Sequence, residues 1–315
     1  MRWGIGIERL HGAFVDGCAV TLGVFDGVHR GHAALVEATV RWARAHSVPA
    51  VALTFEPHPA AVLAPDQHPS MLCPLSHRVQ KLLQLGIDWV IVQPFTQAFA
   101  QLGAIAFVEQ VLVRGLHARA VVVGDDFRFG HQRSGSVATL QEAGAFTVIA
   151  LPRVRDSDGV PISSTRIREL ITVGQLEQAH ALLGEPYLWS GVVVRGDGRG
   201  RRLGYPTANL TPVEPLLTPP EGVYACQAQL NAGIYPAAVS VGAPPMFENA
   251  RGRIEAYLIG LPDHNLYGHF LTLRFLKRLR PQRKFESVET LLNQMRFDIE
   301  QAAQIASRSL GDAPL

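Results

Sequence analysis

Two histidines near the amino terminus have a spacing that suits phosphate chemistry. Residues 25–32 read FDGVHRGH and join an apolar run to a helical pattern. His29 and His32 are three residues apart, so they share one face of a first helical turn. The N–H groups and partial positive charge of a helix N-terminus favour phosphate, and Gly27 and Gly31 allow close approach. The two imidazoles could donate hydrogen bonds to a phosphorus centre, whereas a metal pair or two incidental surface histidines are the alternatives.

A second segment with phosphate-binding character reads SSTRIR at residues 163–168, before a helical pattern that ends at Gly174. Hydroxyl groups at a helix start act as caps, and Arg166 or Arg168 could form bidentate hydrogen bonds to phosphate oxygens. An ordinary capped surface helix is the alternative for this segment alone. The combination of HxGH after the first strand with SSTxxR after the last resembles the nucleotidyltransferase superfamily, which transfers a nucleotidyl group and releases pyrophosphate.

A glycine-rich loop, GDGRGRRLG, occupies residues 196–204 and leads into YPTAN. The loop fits neither GxxxxGK[ST] nor a complete GxGxxG, but such loops expose consecutive N–H groups that cradle phosphates. Thr207 and Asn209 lie two apart on an extended segment, so their oxygens share a face and could bind Mg²⁺. A flexible basic loop is the alternative for the glycines, although it leaves PTAN unexplained.

Two further segments narrow the family of the first half. TFEPHP at residues 54–59 and VGDDFRFG at 123–130 each end a predicted strand. With GVFDGVHRGH and ISSTRIR, they resemble the FAD synthetase module of bacterial bifunctional riboflavin kinase/FAD synthetases over residues 15–184. The resemblance implies catalytic roles for His29, His32 and Arg168. It implies ATP binding by Gly23, Phe25, Asp26, Gly31, Ser164, Thr165 and Arg166, and flavin binding by Phe55, Pro57, His58, Pro59, Asp126, Phe127 and Phe129.

The chemistry of this first site requires no protein nucleophile. The FMN phosphate can attack the α-phosphorus of ATP directly, with positioning and charge stabilisation, and Mg²⁺, supplying the catalysis. Phe55, Phe127 and Phe129 offer flat surfaces for a ring system, although each phenylalanine taken singly is as typical of a core.

The second half resembles the riboflavin kinase module over about residues 186–305. Besides the loop with PTAN, it carries GVYA, IEAYL and LYG at residues 222–225, 254–258 and 266–268. The resemblance implies that Glu255 takes the proton of the riboflavin 5′-hydroxyl, a task suited to a carboxylate, and that Thr207 and Asn209 bind Mg²⁺. It implies ATP binding by Gly196, Gly198, Gly200, Arg201 and Gly204.

One departure from the kinase pattern concerns the flavin side of its site. Pro244 and Met246 stand where the family usually has a donor-bearing residue and a threonine. A lost hydrogen bond of this kind is worth roughly 0.5–1.5 kcal/mol, so we expect a raised KM for riboflavin in a working kinase.

The elements that must carry these segments differ between the two halves. In the first, short β-rich runs alternate with helical patterns, which predicts an α/β fold with a doubly wound parallel sheet and ligands at the carboxyl ends of its strands. The predicted strands are 19–24, 49–54, 89–92, 120–123 and 147–151, and the predicted helices lie near 31–46, 76–85, 103–113 and 136–143.

The pattern changes beyond Leu183, where Gly184 and Pro186 act as breakers. We therefore predict domains at residues 1–184 and 185–315. Short strands joined by Gly- and Pro-rich loops predict a small antiparallel β-barrel, and helical spacing of apolar residues over 288–306 predicts a C-terminal helix. The predicted barrel strands are 191–195, 224–230, 235–241, 253–259 and 270–275.

Composition limits the classes of partner. The 315 residues carry 29 basic and 27 acidic side chains, a net charge of +2 that provides no field for nucleic acid or an acidic membrane. The three cysteines are scattered and form no CxxC motif, so we expect no zinc site and infer a reducing compartment. No run reaches the ~20 apolar residues of a membrane span. We predict a cytoplasmic enzyme with ATP, riboflavin and FMN as substrates, and leave its oligomeric state open.

Other functions fit parts of the sequence. A monofunctional FAD synthetase with a weak, altered or flavin-sensing second module is the main alternative, and a cytidylyltransferase for another alcohol shares HxGH and SSTxxR. Thr207, Asn209 and Glu255 disfavour a pure sensor, which needs neither metal ligands nor a base. FEPHP and DDFRFG disfavour the cytidylyltransferase. The leading hypothesis is an enzyme that phosphorylates riboflavin and adenylylates FMN.

Overall fold

The computed structural model describes residues 2–10, 12–196, 198–231, 233–242, 254–262 and 265–311. The chain divides into two compact units, Met1–Ser70 with Leu75–Ser164, and Met71–Pro74 with Thr165–Leu315. The domain limits at residues 184 and 185 stay a prediction. Pro244 and Met246, on which the expected change in riboflavin affinity depends, lie outside the described residues.

A six-stranded parallel sheet forms the centre of the first unit, in the order β1-β4-β3-β2-β5-β6. Its inner strands are almost wholly buried and apolar, as is typical of a parallel sheet covered on both faces. This confirms the predicted α/β fold. The strands are β1 (Arg2–Ile5), β2 (Cys18–Leu22), β3 (Ala50–Glu56), β4 (Trp89–Pro94), β5 (Ala118–Gly124) and β6 (Thr147–Leu151).

Helices cover the two faces of this sheet, because alternate strand residues point into two separate cores. Val20 packs in one core with Leu112, and Ala19 in the other with Val36 and Val79. The helices are α1 (Arg30–Ala45), α2 (Pro59–Leu63), α3 (Leu75–Gln84), α4 (Gln97–Ala100), α5 (Ala104–Phe107), a π-helical stretch (Val108–Gly115) and α6 (Val137–Glu142).

The second unit contains a closed antiparallel barrel of strand order β10-β11-β8-β7-β12-β9, which confirms the predicted barrel. Its strands are β7 (Tyr187–Val194), β8 (Ala208–Pro212), β9 (Gly222–Leu230), β10 (Gly233–Val241), β11 (Ile254–Leu258) and β12 (Phe270–Arg280). Its helices are α7 (Ser164–Thr172, whose first residue belongs to the first unit), α8 (Leu176–Leu183), α9 (Arg199–Arg202) and α10 (Val288–Gly311).

The C-terminal helix α10 is fixed to the barrel by polar contacts as well as by apolar packing. Gln227 Nε2 of β9 donates to the Ala306 carbonyl at 3.2 Å. Arg280 of β12 donates to the Asp298 carboxylate at 2.8 and 3.0 Å, and that carboxylate is almost fully buried. Because a buried ion pair requires such paired geometry, the predicted helix has a defined docking position on the barrel.

Six of these elements were not predicted: the strands β1 and β8, and the helices α2, α4, α8 and α9. β1 is a short edge strand that includes Gly4, and β8 begins inside PTAN, in the segment that was interpreted as extended. Helix α8 ends at Gly184 in a left-handed conformation (φ +80°), so this predicted breaker is a helix cap.

Three cysteines, Cys18, Cys73 and Cys226, are free and buried. Burial raises the pKa of the Cys18 thiol to about 12, so it is not ionised near neutral pH. Among the helices that the structure describes, none has the length and apolar character to span a membrane.

Candidate active sites

His29 and His32 lie at the start of α1, just beyond the carboxyl end of β2. The turn that leads to them uses left-handed backbone at Phe25 (φ 53°), Gly27 (φ 76°) and Val28 (φ 38°). A β-branched residue in this region is costly, and such strain is typical of functional turns. His29 is the N-cap of α1, its Nδ1 accepts from the His32 N–H at 3.3 Å, and the two rings stack with centroids 3.6 Å apart.

The His32 ring is enclosed, with the edge of Phe25 at a centroid distance of 5.3 Å. Burial lowers the pKa of the His32 imidazole well below its usual value, and the nearby charges of His29, Lys81 and Arg78 act in the same direction. His32 is therefore neutral at pH 7, with one donor and one acceptor nitrogen. Its Nδ1 is buried without a hydrogen-bond partner among the described residues.

The space beside these rings is tight for any residue larger than glycine. A Cβ on Gly31 would lie 3.1 Å from the His29 ring, and one on Gly23 would lie 3.3 Å from the Phe25 ring.

Ser164 Oγ donates to the carbonyl oxygen of the buried Asp26 at 3.1 Å. The second serine of the SST motif therefore contacts the turn that leads to HxGH.

The other predicted phosphate ligands follow Ser164 along α7. Thr165, Arg166 and Arg168 belong to the second compact unit. Their action on the phosphates of ATP stays a prediction.

The predicted flavin residues lie at or just beyond the carboxyl ends of β3 and β5, the two neighbours of β2 in the sheet. Carboxyl ends of parallel strands meet at one edge, so both loops flank the histidine turn. Phe55 packs on Phe95 and Phe99 with centroids 5.9 and 6.0 Å away, and Phe127 stacks on Phe129 at 5.7 Å. Phe129 is part of the core, whereas Phe55 and Phe127 are only half-buried.

Of the other four predicted flavin residues, His58 and Asp126 have structural partners of their own. His58 Nδ1 accepts from the Ala60 N–H at 3.0 Å and so caps α2, which begins at Pro59. Asp126 is exposed and forms an ion pair with Arg153. Pro57, which directly precedes His58, is exposed. These contacts hold the loops in shape and leave the binding of flavin by these residues a prediction.

Arg78 of α3 is a buried residue of this region that sequence reasoning missed. Its guanidinium donates to the Phe55 carbonyl at 3.0 Å and to the Glu56 carboxylate at 2.7 Å, within the predicted flavin loop. A single arginine in an amphipathic helix is typical of a solvated face, so no sequence signal distinguishes it.

The second site lies on β8 and β11 of the barrel. Asn209 and Glu255 are directly opposite each other in the antiparallel register, and Thr207 Oγ1 donates to Glu255 Oε2 at 3.3 Å. The three predicted kinase residues are therefore brought together. Asn209 is buried, and its Oδ1 has no hydrogen-bond partner in the described parts of the chain.

The glycine-rich loop packs against these side chains. A Cβ on Gly196 would lie 2.2 Å from the Asn209 side-chain nitrogen, and one on Gly200 would lie 2.3 Å from the Tyr205 carbonyl oxygen. Gly198 and Gly204 adopt left-handed backbone, with φ +65° and +85°. Any larger residue at Gly196 would push Asn209 away from its present position.

A cavity of about 320 Å³ opens beside this loop. Among the predicted ATP-binding residues, Gly196, Gly198 and Arg201 line it, together with Thr207 and Asn209. Leu266 and Tyr267 of the LYG segment form another part of the wall, where Arg195 lies over the Tyr267 ring at 5.8 Å. The cavity thus combines glycine backbone, oxygen donors and an aromatic surface, as a nucleotide site requires.

The oxygen atoms at this cavity fit Mg²⁺. Asn209 Oδ1 is a buried acceptor without a protein donor, and Thr207 uses its proton for Glu255, which leaves its lone pairs available. No cluster of three or more His, Cys, Asp or Glu side chains occurs in the described ranges. A cation held mainly by two protein oxygens, water and phosphate is the usual arrangement for Mg²⁺.

Comparison with known proteins assigns each half of the chain to a family. A family model for FAD synthetase matches residues 13–166, and one for riboflavin kinase matches residues 183–306. The chain is 36% identical to the bifunctional riboflavin kinase/FMN adenylyltransferase of Escherichia coli K12, over 93% of this chain and 94% of that protein. The corresponding protein of Bacillus subtilis is 33% identical, over 91% and 92%.

A solved structure extends the likeness to the fold. It is described as a macrolide-efflux protein from Streptococcus pneumoniae, is 31% identical, and covers 96% of this chain and 98% of its own with a TM-score of 0.84. With the two family models and the two relatives, the conclusion is direct: the chain belongs to the bifunctional riboflavin kinase/FMN adenylyltransferase family.

Proposed function

We propose that the two reactions of the family take place at the two sites described above. The chain phosphorylates riboflavin to FMN, and it transfers AMP from ATP to FMN, giving FAD and pyrophosphate. The residue assignments rest on one shared observation: each site holds a buried polar atom, His32 Nδ1 or Asn209 Oδ1, without a hydrogen-bond partner among the described residues. Such atoms are costly unless a ligand satisfies them.

At the first site, the α1 N-terminus and the two imidazoles stabilise charge on the phosphates of ATP. A phosphate oxygen of FMN forms a bond to the α-phosphorus, the bond to the bridging oxygen of the β-phosphate breaks, and pyrophosphate leaves. His32, neutral because it is buried, donates a hydrogen bond as charge develops. Ser164, Thr165, Arg166 and Arg168 bind the departing phosphates, as the sequence resemblance implies.

At the second site, Glu255 accepts the proton of the riboflavin 5′-hydroxyl as that oxygen bonds to the γ-phosphorus of ATP. The bond from the γ-phosphorus to the β–γ bridging oxygen breaks, and ADP leaves. The hydrogen bond from Thr207 orients the carboxylate. Thr207 and Asn209 hold Mg²⁺, which neutralises charge on the phosphates when bound. The glycine backbone of residues 196–204 surrounds the phosphates.

Several finer statements belong to the same proposal. We place the domain boundary between residues 184 and 185, and the protein in the cytoplasm. Its substrates are the small molecules ATP, riboflavin and FMN, without a nucleic-acid or membrane partner. Pro244 and Met246 are expected to raise the KM for riboflavin, and restoring asparagine and threonine there would lower it.

One assay tests the proposal. Purified protein is incubated with riboflavin, ATP and Mg²⁺, and the flavins are resolved by chromatography at successive times. FMN is expected first and FAD after it, and replacing Mg²⁺ by a chelator is expected to stop both. FMN that accumulates without FAD, or riboflavin that stays unchanged, would contradict one or the other assignment.

A further inference from the structure

Arg78 occupies an unusual position for a charged side chain, because it is fully buried beneath the first site. A buried guanidinium is costly unless its donors are hydrogen-bonded. One terminal nitrogen donates to the Val24 carbonyl at 3.1 Å and to the Phe55 carbonyl at 3.0 Å, and lies 3.3 Å from Thr54 Oγ1. The other donates to the Glu56 carboxylate at 2.7 Å.

These partners lie where two adjacent strands separate. The ladder between β2 and β3 ends at Leu22 and Leu53, and the last backbone bond runs from the Gly23 N–H to the Leu53 carbonyl. Beyond that point the chain of β2 turns toward His29, and the chain of β3 enters the predicted flavin loop. Backbone carbonyls that leave a ladder need new donors.

Side chains provide those donors. Arg78 reaches carbonyls on both strands, and Thr54 Oγ1 donates to the Val24 carbonyl at 3.0 Å. The Val24 carbonyl thus accepts from both side chains. One terminal nitrogen of the guanidinium bridges the two strand ends, and the fork geometry places the other on the Glu56 carboxylate at the same time, which the single nitrogen of lysine does not match.

We propose that Arg78 is a positioning residue for FMN adenylyl transfer, which fixes the histidine turn and the loop at residues 55–59 relative to each other so that FMN and ATP meet in line. This inference rests on the proposed function of the first site. Arg78 acts through Val24, Phe55 and Glu56, and not by contact with a substrate.

The charge of Arg78 has a second consequence for the same site. Burial, His29, Lys81 and Arg78 all lower the pKa of His32. Removing the Arg78 charge leaves the other three influences in place but raises that pKa. The acid limb of the pH–rate profile of FAD formation, where activity is lost as His32 becomes protonated, then moves to higher pH.

Two substitutions in the full-length protein separate geometry from charge. Arg78→Lys keeps the charge and loses the fork, so we expect the KM for FMN to rise about tenfold or more, with the acid limb unmoved. Arg78→Met keeps the approximate volume and loses the charge, so we expect the same rise in KM together with a shift of the acid limb to higher pH. A purely structural role would not produce this split.

The protein contains its own controls. Riboflavin phosphorylation measured in the same samples reports a folded chain and is expected to stay at the parent rate. Arg44→Lys is the matched substitution, since Arg44 of α1 pairs with Asp88 at the surface, and exposed pairs contribute little. It is expected to change neither the KM for FMN nor the pH profile.

If the Arg78 variants fail to fold, Glu56→Gln and Thr54→Val test the same junction. Glu56→Gln removes the charge of one partner of Arg78 and Thr54→Val removes the hydroxyl of another, so each weakens the bridge. Each is expected to raise the KM for FMN several-fold without affecting the kinase step. Parent values of KM and an unmoved acid limb in all variants that fold would overturn the inference. Should His32→Ala also form FAD at the parent rate, the assignment of the first site itself fails.

Discussion

In the proposed function, the site in the first unit and the site in the second bind phosphate by different means. The first presents stacked imidazoles at a helix N-terminus, held by burial and by a strained turn. The second presents the oxygens of Asn209 on the barrel strand β8 and of Thr207 just before it, beside a glycine-rich loop and a cavity of about 320 Å³.

The difference between the sites corresponds to two ways of stabilising the negative charge of phosphate. Imidazole and backbone N–H groups act as donors directly, so the first site depends on packing and on the protonation state of His32. Oxygen acceptors bind phosphate only through a cation, so the second depends on Mg²⁺ and on the space that Gly196 leaves. The two steps should therefore respond to different substitutions.

The largest expected effect is on the kcat of the kinase step, and it distinguishes the role of Glu255 as a base from the binding of ATP. Glu255→Gln retains an oxygen for the Thr207 hydroxyl but cannot accept a proton. The kcat of riboflavin phosphorylation should fall about 10²–10⁴-fold, while calorimetry shows ATP binding unchanged. Glu289→Gln, a surface substitution at the start of α10, is the control. Loss of ATP binding in Glu255→Gln would contradict the role of a base.

The next effect belongs to the first site alone. His32→Ala removes a preorganised donor, so FAD formation from supplied FMN should fall about 10²-fold or more. His46→Ala, which alters an exposed histidine at the other end of α1, should have no effect in the same assay. Equal losses in the two variants would show that the effect comes from destabilising α1 and not from the site.

A smaller effect tests the space beside Asn209. Gly196→Ala places a Cβ against the Asn209 amide, and the displaced ligand should lower kcat/KM for ATP in the kinase step by roughly tenfold or more. Gly103→Ala is a matched control, because nothing lies near the Cβ position there. If Gly196→Ala keeps the parent kcat/KM for ATP, then Asn209 can move without loss of activity.

The smallest expected effect concerns stability and pH in the second unit. Burial lowers the pKa of His180 in α8 to about 4, and its Nε2 has no hydrogen-bond partner among the described residues. Between about pH 6.5 and 4 the unfolded chain binds this proton and the folded chain does not, so stability falls as pH falls.

Denaturant unfolding measures this effect. Lowering the pH from 7.5 to 5.5 should cost the parent about 1 kcal/mol more than His180→Asn, since the variant lacks the titrating group. Parallel pH profiles for the two proteins would contradict the buried, neutral state of His180.

The sequence predicted the two folds, and it grouped the candidate site residues more completely than it predicted the contacts that hold them. His29 with His32, and Thr207 with Asn209, follow from motif spacing, whereas Glu255 follows from the resemblance to the riboflavin kinase module. The structure brings each set together. The extended segment of Thr207 and Asn209 was not recognised as a strand, because it is short and follows Pro206, and strand β8 depends on pairing with β7 and β11.

Arg78 illustrates what sequence patterns leave out. Its helix has the periodicity of an amphipathic surface helix. The partners of the guanidinium are two backbone carbonyls and two side chains, all distant along the chain. Burial of such a charge is decided by tertiary hydrogen bonds, which no local pattern encodes.

The central claim, that the two steps use separate sites, is tested most directly by the products of two variants. His32→Ala and Glu255→Gln are each given riboflavin, or FMN, with ATP and Mg²⁺, and the flavins are resolved by chromatography. We predict that His32→Ala accumulates FMN with little FAD. Glu255→Gln should leave riboflavin unphosphorylated and convert supplied FMN to FAD at the parent rate. Loss of both steps in either variant would contradict the account.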